Sequence, residues 1–269
     1  MIDEQVEVLA NDEVAEEFYM ARLQAPYIAA RAKPGQFVNI QVSTGGAPLL
    51  RIPLSVCAID LDAGWIEVLY ENLGPKSEVL SRTGRGVSMA CLGPLGNGFA
   101  PPPAGARTCL VGGGIGVPPM LYWGSVLQRQ NYPVTLLVGA RNKGKHLPDE
   151  LLAPAASVVR RASDDGSLGQ AGLVTDLLQE ELAGDAPHAV YCCGPHGMMR
   201  AVAALCRESA VPCQVSLEEY MACGIGICVG CAVELQQDEQ GAAGSDYTRY
   251  GRICVDGPVF DARRVKWED

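Results

Sequence analysis

The sequence predicts three parts in order along the chain: an antiparallel β-barrel, an α/β domain built on a parallel sheet, and a small cysteine-rich lobe. Three observations support this fold class. Short apolar runs separated by turn residues fill the N-terminal part, strand-like and helix-like runs alternate in the middle, and closely spaced cysteines and glycines mark the C-terminal part. We expect the three parts to span residues 1–102, 103–212 and 213–269.

The N-terminal part carries short alternating apolar runs such as Phe18 to Leu23, Phe37 to Val42 and Trp65 to Tyr70. Glycine, proline and aspartate separate these runs. This spacing is typical of a small antiparallel barrel or sandwich. The stretch from Gly93 to Phe99 is followed by three consecutive prolines, so we expect a linker to end the first part there.

In the middle part, strand patterns and helix patterns follow one another. Strands are predicted at Thr108–Val111, Val134–Gly139, Val158–Ala162 and Ala189–Cys193, and helices at residues 118–129, 174–182 and 196–208. Such alternation is typical of βαβ units, which form a parallel sheet with helices on both faces.

Charge and composition narrow the function classes. The formal net charge of −10 disfavours a nucleic acid or an anionic membrane as partner. The N-terminus shows no basic segment followed by an apolar one, and no run approaches the roughly 18 apolar residues of a membrane span, so we expect a cytoplasmic chain. In a reducing compartment, 11 cysteines indicate metal binding or redox chemistry more than disulfides.

Three cysteines of the C-terminal part follow the pattern C-x4-C-x2-C, and a fourth lies on a later segment. This is the plant-type spacing for ligands of a [2Fe–2S] cluster. Interleaved glycines let the backbone approach the sulfides and leave amides free to donate to sulfur. A zinc site is the alternative, but such sites usually use two CxxC-like pairs. The predicted cluster ligands are Cys223, Cys228, Cys231 and Cys254.

A glycine-rich turn, Val111 to Pro119, follows the first strand of the middle part and opens a helix. Glycines there allow backbone amides to approach a pyrophosphate, and the helix N-terminus faces the phosphate charge. The run is not the G-x-G-x-x-G fingerprint, because Val117 stands in the place of the third glycine. A tight strand–helix turn without a ligand is the alternative interpretation.

Two further strand ends support a nucleotide site. Cys193, Gly194 and Pro195 end one strand, and Asp164 and Asp165 follow another. The carboxyl ends of parallel strands meet at one edge of the sheet and form a ligand-binding crevice. A carboxylate there would bind the adenosine ribose and repel a 2′-phosphate, which favours NADH over NADPH. The alternative is that these aspartates only cap a turn.

Seven stretches, in order along the chain, resemble the ferredoxin–NADP reductase superfamily, and within it the electron-transfer subunits of class 1B dihydroorotate dehydrogenases. The stretches are PLLRIPLS, GPLGNGF, LVGGGIGVPPM, SDDGSLGQAGLVTD, CCGPHGMM, SLEEYMACGIGICVGCAVE and CVDGPVF. The resemblance covers essentially the whole chain. It implies a barrel that binds FAD, an α/β domain that uses NAD(H) as substrate, and a C-terminal lobe that holds the [2Fe–2S] cluster.

The resemblance also implies site residues. For the flavin ring, its flanks and its phosphates these are Arg51, Pro53, Leu54, Ser55, Leu69, Tyr70, Glu71, Gly74, Lys76 and Ser77. For the nicotinamide nucleotide they are Gly113, Gly114, Ile115, Gly116, Asp165, Cys193, Gly194 and Pro195. The family's flavin-phosphate arginine usually stands where this chain has Ile52, and Arg51 lies one residue earlier. A surface arginine is the alternative interpretation of Arg51.

The function implied by the resemblance is an electron relay. A partner subunit with FMN would oxidise dihydroorotate to orotate in pyrimidine biosynthesis, and electrons would pass through the cluster and FAD to NAD+. The family implies a heterotetramer with that catalytic subunit, whose contact face would lie near the cluster loop. No catalytic acid or base is expected in this chain. The distance from Cys231 to Cys254 is long for the family, so we interpret Gln236 to Asp246 as an inserted loop.

Two other functions stay open. The chain could be the NAD(P)H-dependent reductase subunit of another complex, such as a bifurcating ferredoxin:NADP oxidoreductase. The small subunits of those enzymes resemble this chain at the R-I-P-L stretch but carry an aspartate in place of Cys223. In a different class, the chain could be a zinc or redox-sensing module without turnover.

Overall fold

The computed structural model describes residues 1–43, 45–236 and 249–267. Its secondary structure divides into a closed barrel, a second sheet flanked by helices, and a C-terminal loop region with a short hairpin. Within the described residues, no helix combines the length and the hydropathy that a membrane crossing requires.

The first part is a closed antiparallel barrel with the strand order β1-β2-β5-β4-β3-β6. Its strands are β1 (Ile2–Ala15), β2 (Phe18–Gln24), β3 (Phe37–Ile40), β4 (Ile52–Asp60), β5 (Trp65–Glu71) and β6 (Ser88–Leu95), with helices α1 (Pro26–Ala29) and α2 (Pro75–Ser81). Aliphatic side chains such as Val8, Val38 and Ile66 fill its interior. The predicted barrel is confirmed. Strand β6 was not predicted, because its Gly93 and Pro94 resemble a linker signal.

The second part is a sheet in the order β10-β9-β8-β7-β11-β12-β15. The parallel strands are β7 (Thr108–Gly113), β8 (Val134–Ala140), β9 (Val158–Ser163), β10 (Gln170–Ala171), β11 (Ala189–Cys193) and β12 (Cys213–Ser216); the helices are α3 (Val117–Arg129), α4 (Asp149–Leu152), α5 (Val174–Ala183) and α6 (His196–Glu208). Strands β7 and β11 are buried along their whole length, as expected for central strands covered on both faces. The predicted α/β fold is confirmed.

The C-terminal region carries strands β13 (Ala232–Glu234), β14 (Tyr250–Arg252) and β15 (Val259–Asp261). Strands β13 and β14 form a hairpin, whereas β15 pairs antiparallel with β12 and extends the second sheet. The predicted boundary at residue 213 therefore falls at the first residue of β12, inside that sheet. Most of the proposed inserted loop, residues 237–246, lies outside the described residues.

Shared cores hold the parts together. Phe99, Trp123 and Tyr191 pack with ring centroids 5.5–5.9 Å apart, and Tyr122 Oη donates to the carbonyl of Ala32 at 2.9 Å. A second core joins Phe37 of the barrel to the C-terminal region. These contacts form the frame on which two cavities and the cysteine loop lie side by side.

Candidate functional site

A cavity of about 680 Å³ lies between the barrel and the segment that follows β12. Its volume is in the range of small-molecule sites. The residues predicted for the flavin that line it are Pro53, Leu54, Ser55, Leu69, Tyr70, Glu71, Gly74, Lys76 and Ser77. Ser216 to Met221 form the opposite wall. The structure therefore brings together every predicted flavin residue except Arg51.

One end of this cavity is formed by the start of α2. The amides of Leu73 and Gly74 each donate to Ser77 Oγ at 3.0 Å, which fixes the turn. Lys76 Nζ donates to the carbonyl of Arg51 at 3.1 Å. Among the described residues that line the cavity, Lys76 alone carries a positive charge. This end is suited to an anionic phosphate group.

Arg51 lies outside that cavity. Its guanidinium makes a bidentate ion pair with Asp3, at 2.8 and 2.7 Å, and this hydrogen bonding holds the pKa of Asp3 below its usual value. Ile52, by contrast, lines the cavity. Successive side chains of an extended strand point to opposite faces, so moving an arginine by one residue turns it away from the site.

We predict that Lys76→Met weakens FAD binding about tenfold, or ~1.4 kcal/mol, because it removes the cavity's cation. Arg51→Met is the matched comparison and should leave the FAD affinity near that of the unmodified chain, since its charge is already paired with Asp3. Both dissociation constants can be measured by flavin fluorescence on the deflavinated protein. A larger loss in Arg51→Met than in Lys76→Met would show that the phosphate clamp is misplaced.

A second cavity, of about 480 Å³, opens at the carboxyl ends of the parallel strands. Of the predicted nucleotide residues, those that line it are Gly113, Gly114, Ile115, Gly194 and Pro195. Gly116, Asp165 and Cys193 do not. Asp165 caps its own turn by accepting from the amide and hydroxyl of Ser167 at 2.9 and 2.6 Å. Its neighbour Asp164 lines the cavity instead.

Gly116 and Cys193 lie behind the cavity, where the two turns touch. A methyl group at Gly116 would collide with the carbonyl of Cys193 and the amide of Gly194. The Cys193 side chain is fully buried, and burial holds the pKa of its thiol well above the usual value. These two residues therefore set the spacing of the turns that line the cavity.

Two cations that line the second cavity, Arg141 and Lys145, were not predicted from the sequence. Arg141 follows the carboxyl end of β8, and the strand-end rule could have identified it. Lys145 Nζ lies between Glu17 and Glu71 of the barrel, at 2.6 and 2.9 Å. Its partners are remote in sequence, so no local pattern marks it.

The two cavities meet at Glu71, Ile115 and Glu218, which line both. Desolvation of the Glu218 carboxyl disfavours its charged form and raises its pKa to about 7. A hydrogen bond from Cys193 Sγ, at 3.9 Å, lowers the pKa and partly offsets this shift. Glu218 was also not predicted from the sequence, because its place in the site depends on two cavities that meet beside it and on no local motif. A ligand in each cavity would approach the other at this junction.

The predicted cluster ligands lie on the loop between β12 and β13 and on the turn after β14. Cys223 Sγ accepts from the amides of Cys228 and Ile225 at 3.4 and 3.5 Å. Burial of the Cys223 thiol raises its pKa, but hydrogen bonds from these amides and from the Cys228 side chain outweigh burial and lower the pKa to about 6. Cys254 is in hydrogen-bonding contact with Cys231, and burial raises its pKa to about 12.

The four thiols are thus arranged as two contact pairs, Cys223 with Cys228 and Cys231 with Cys254. A [2Fe–2S] cluster takes two thiolates on each iron, so this donor set fits it. A structural zinc ion needs four ligands around one point. Two thiol pairs suit the two irons of the binuclear cluster better than a single zinc centre.

The turn that carries Cys254 is fixed by described residues. Arg252 Nη1 donates to the carbonyl of Gly226 at 3.0 Å, and the amide of Ile253 donates to the carbonyl of Cys231 at 3.0 Å. Asn97 Nδ2 of the segment after β6 donates to the carbonyls that follow Cys254, at 3.0 and 3.1 Å. These bonds hold the fourth thiol against the loop.

The cysteine loop lies beside the flavin cavity. Leu217 and Met221 line that cavity, and Cys223 follows Met221 by two residues. On its outer side the loop exposes Cys228 together with Ile227, which is 77% exposed, and Val229, which is 58% exposed. A group bound by the cysteines would lie between the first cavity and an exposed apolar surface.

Comparison with known proteins gives consistent similarities. The family described as the iron-sulfur cluster binding domain of dihydroorotate dehydrogenase B matches residues 218–266, and the oxidoreductase NAD-binding domain matches residues 110–204. A protein of Desulforamulus reducens is 36% identical over 261 residues and 97% of each chain. One of Bacillus caldolyticus is 38% identical over 265 residues, covering 97% of this chain and 98% of its own. Both are named as the electron transfer subunit of dihydroorotate dehydrogenase B (NAD(+)).

Solved structures show the same architecture. The structure of an NADH-dependent reduced ferredoxin-NADP oxidoreductase superposes with a TM-score of 0.85 at 28% identity, covering 98% of this chain and 90% of that chain. The ferredoxin reductase of a carbazole 1,9a-dioxygenase superposes with a TM-score of 0.66 at 21% identity, over 78% of this chain and 67% of that chain. The second similarity concerns the fold alone.

Proposed function

The chain belongs to the electron transfer subunits of dihydroorotate dehydrogenase B, and we propose that it carries electrons between a partner subunit and NAD(H) through a [2Fe–2S] cluster and FAD. One observation carries this proposal: the cysteine loop, the first cavity and the second cavity adjoin in that order. The loop shares Met221 with the first cavity, and the cavities share Glu71, Ile115 and Glu218.

The partner in this proposal is a catalytic subunit that contains FMN and oxidises dihydroorotate to orotate. The name of the relatives supports such a partner. We infer a heterotetramer in the cytoplasm, where a reducing environment keeps the four ligand cysteines available for iron. We assign the partner contact to exposed apolar side chains of the cysteine loop, namely Ile227, Val229 and Tyr220, which is 94% exposed.

The residues of this chain position and shield the reacting groups. FAD, when bound, exchanges a hydride on one side for single electrons on the other. Ile115 and Pro118 form an apolar part of the wall of its cavity. The Cys193 thiol donates a hydrogen bond to Glu218 Oε1 at 3.9 Å. No side chain is needed as a general acid or base.

The nucleotide preference for NADH stays part of the proposal. Asp164, rather than Asp165, is the carboxylate that lines the second cavity. There it would accept from the ribose hydroxyls and repel a 2′-phosphate. Arg141 lines the same cavity and can neutralise the pyrophosphate, whereas the charge of Lys145 is already paired with Glu17 and Glu71.

A reconstitution experiment tests the proposed function. The purified chain, loaded with FAD and iron, should oxidise NADH with an artificial acceptor but should not oxidise dihydroorotate. Addition of the FMN-containing catalytic subunit should produce dihydroorotate-dependent reduction of NAD+. The structural similarity to a ferredoxin-NADP oxidoreductase makes a reductase subunit of another complex the second candidate. Coupling to ferredoxin, with no response to the catalytic subunit, would support that candidate instead.

Glu218 predicts a pH-dependent preference between oxidised and reduced nucleotide. As the pH rises through about 7 the carboxyl loses its proton, and its negative charge then favours the cationic nicotinamide ring of NAD+ over the neutral ring of NADH. We expect the ratio of NAD+ affinity to NADH affinity to rise about threefold between about pH 6 and pH 8, because Glu218 is exposed and solvent screens its charge. Glu218→Gln should remove this dependence, whereas Glu208→Gln, at the end of α6, should retain it. Titration calorimetry at both pH values measures the ratio; an identical slope in Glu218→Gln would refute the assignment.

A further inference from the structure

Asn39 is a buried polar residue whose side chain has no partner. It lies in β3, where its backbone is in register with Pro53 of β4 and Leu92 of β6. The side chain is fully buried, and neither its amide nitrogen nor its carbonyl oxygen makes a hydrogen bond. Among the described side chains, Asn39 alone has two buried polar atoms without a hydrogen-bond partner. A buried amide without hydrogen bonds destabilises the folded protein, so we expect a bound group to provide a partner for Asn39.

The side chain of Asn39 points away from the barrel interior. Its neighbours Val38 and Ile40 belong to the barrel core, whereas Phe37 packs into the core of the C-terminal region. Since side chains alternate along a strand, Asn39 faces the same way as Phe37. Phe37 also lines the flavin cavity. Strand β3 therefore presents one residue to the flavin cavity and the next on that face to the C-terminal region.

The surface that Asn39 meets is the cysteine loop. A methyl group built on Gly224 would lie 2.7 Å from Asn39 Nδ2, so the amide lies directly against the backbone that follows Cys223. The amide of Ile225, one residue further, donates to Cys223 Sγ at 3.5 Å. The unpaired amide of Asn39 thus lies next to the backbone amides that donate to Cys223 Sγ, on the barrel side of the loop.

We propose that Asn39 Nδ2 donates a hydrogen bond to the sulfur atoms on the Cys223 side of the [2Fe–2S] cluster and thereby raises its reduction potential. The inference rests on the proposed function, because it requires the cluster on the four cysteines. Sulfur atoms of a cluster accept hydrogen bonds, and such bonds tune its potential. The reduced cluster carries one more negative charge, so a donor stabilises it more than the oxidised cluster. Asn39 is then a hydrogen-bond donor that the barrel contributes to the cluster.

Potentiometric titration of the cluster tests this role. Asn39→Leu keeps the approximate shape of the side chain and removes both polar atoms. In the FAD- and iron-loaded chain, we expect the ratio of reduced to oxidised cluster at a fixed ambient potential to fall about tenfold, which is about 59 mV for one electron. The electron paramagnetic resonance signal of the reduced cluster reports the ratio. Gln41→Leu is the matched control, since Gln41 Nε2 donates to the carbonyl of Ser43 at 3.1 Å, and its potential should equal that of the unmodified chain.

Measurement of iron and sulfide content distinguishes failure of the proposed function from failure of the inference about Asn39. If the unmodified chain binds no cluster, the proposed function fails and the inference fails with it. If Asn39→Leu holds a full cluster with an unchanged potential, the inference alone is overturned and Asn39 only fills space. Asn39→Ala, which cannot overpack the site, decides the question if the leucine variant does not load. A lowered potential supports the hydrogen bond, and an unchanged one refutes it.

Discussion

Replacement of Cys254 by alanine should abolish electron transfer to the partner subunit and leave NADH oxidation by an artificial acceptor intact. Cys254 is buried against Cys231, and the seven cysteines outside the predicted ligand set lie in strands of the barrel and of the second sheet or in α6, not in the cysteine loop. With three ligands the cluster loses one corner of its coordination. The loss of dihydroorotate-dependent NAD+ reduction should exceed the about 10–100-fold typical of changes in outer-shell partners. None of the four cysteines lines either cavity, so binding of FAD and of the nucleotide should be unaffected.

Three measurements on one preparation check this expectation: iron and sulfide content, the cluster bands in the visible spectrum, and the two activities. Cys206→Ala is the matched control, because Cys206 is equally buried but lies on α6, away from the loop. It should keep the cluster and both activities. An unchanged iron content in Cys254→Ala would contradict the ligand set. A colourless unmodified chain that contains zinc would contradict the relay itself.

Local patterns made the cluster and the α/β core predictable from the sequence. The ligand spacing from Cys223 to Cys231 lies within one loop, and the helix predicted at residues 196–208 has the bounds of α6. Burial on both faces gives strands such as β11 a continuous apolar run that stands out from its surroundings. In each case the information is carried by neighbouring residues.

The remaining features depend on contacts between remote segments or on a shift of one residue. Arg51 and Ile52 occupy opposite faces of an extended segment, whereas Asp164 and Asp165 are neighbours in the turn after β9, of which only Asp164 lines the cavity. Glu218 belongs to the site because two cavities meet beside it, and no local sequence pattern predicts that meeting. Sequence motifs therefore predicted segments that line each cavity, while the structure was needed to show which side chain of a segment faces the cavity.

Replacement of Gly116 by alanine should reduce the rate of flavin reduction by NADH about a hundredfold. The φ of Gly116 is −78°, which suits any residue, so the need for glycine there is one of space. An added methyl group would meet the carbonyl of Cys193 and the amide of Gly194, and backbone atoms cannot move aside as a flexible side chain can. The turn before α3 and the turn after β11 must then separate. These are the turns that line the nucleotide cavity.

Such a separation acts on geometry more than on affinity. A displacement of about 1 Å at a reacting centre can cost about 10²-fold in rate, and overpacking of a well-packed contact typically costs about 1–3 kcal/mol of stability. Stopped-flow reduction of the bound flavin measures the rate, and thermal unfolding measures the stability. Gly84→Ala is the matched control, because nothing lies within 4 Å of a methyl group at that position. The cluster spectrum of Gly116→Ala should be normal, since its ligands lie on another loop. A rate within about tenfold of the unmodified chain would show that the junction tolerates wider spacing, and the contact between the two turns would then not control hydride transfer.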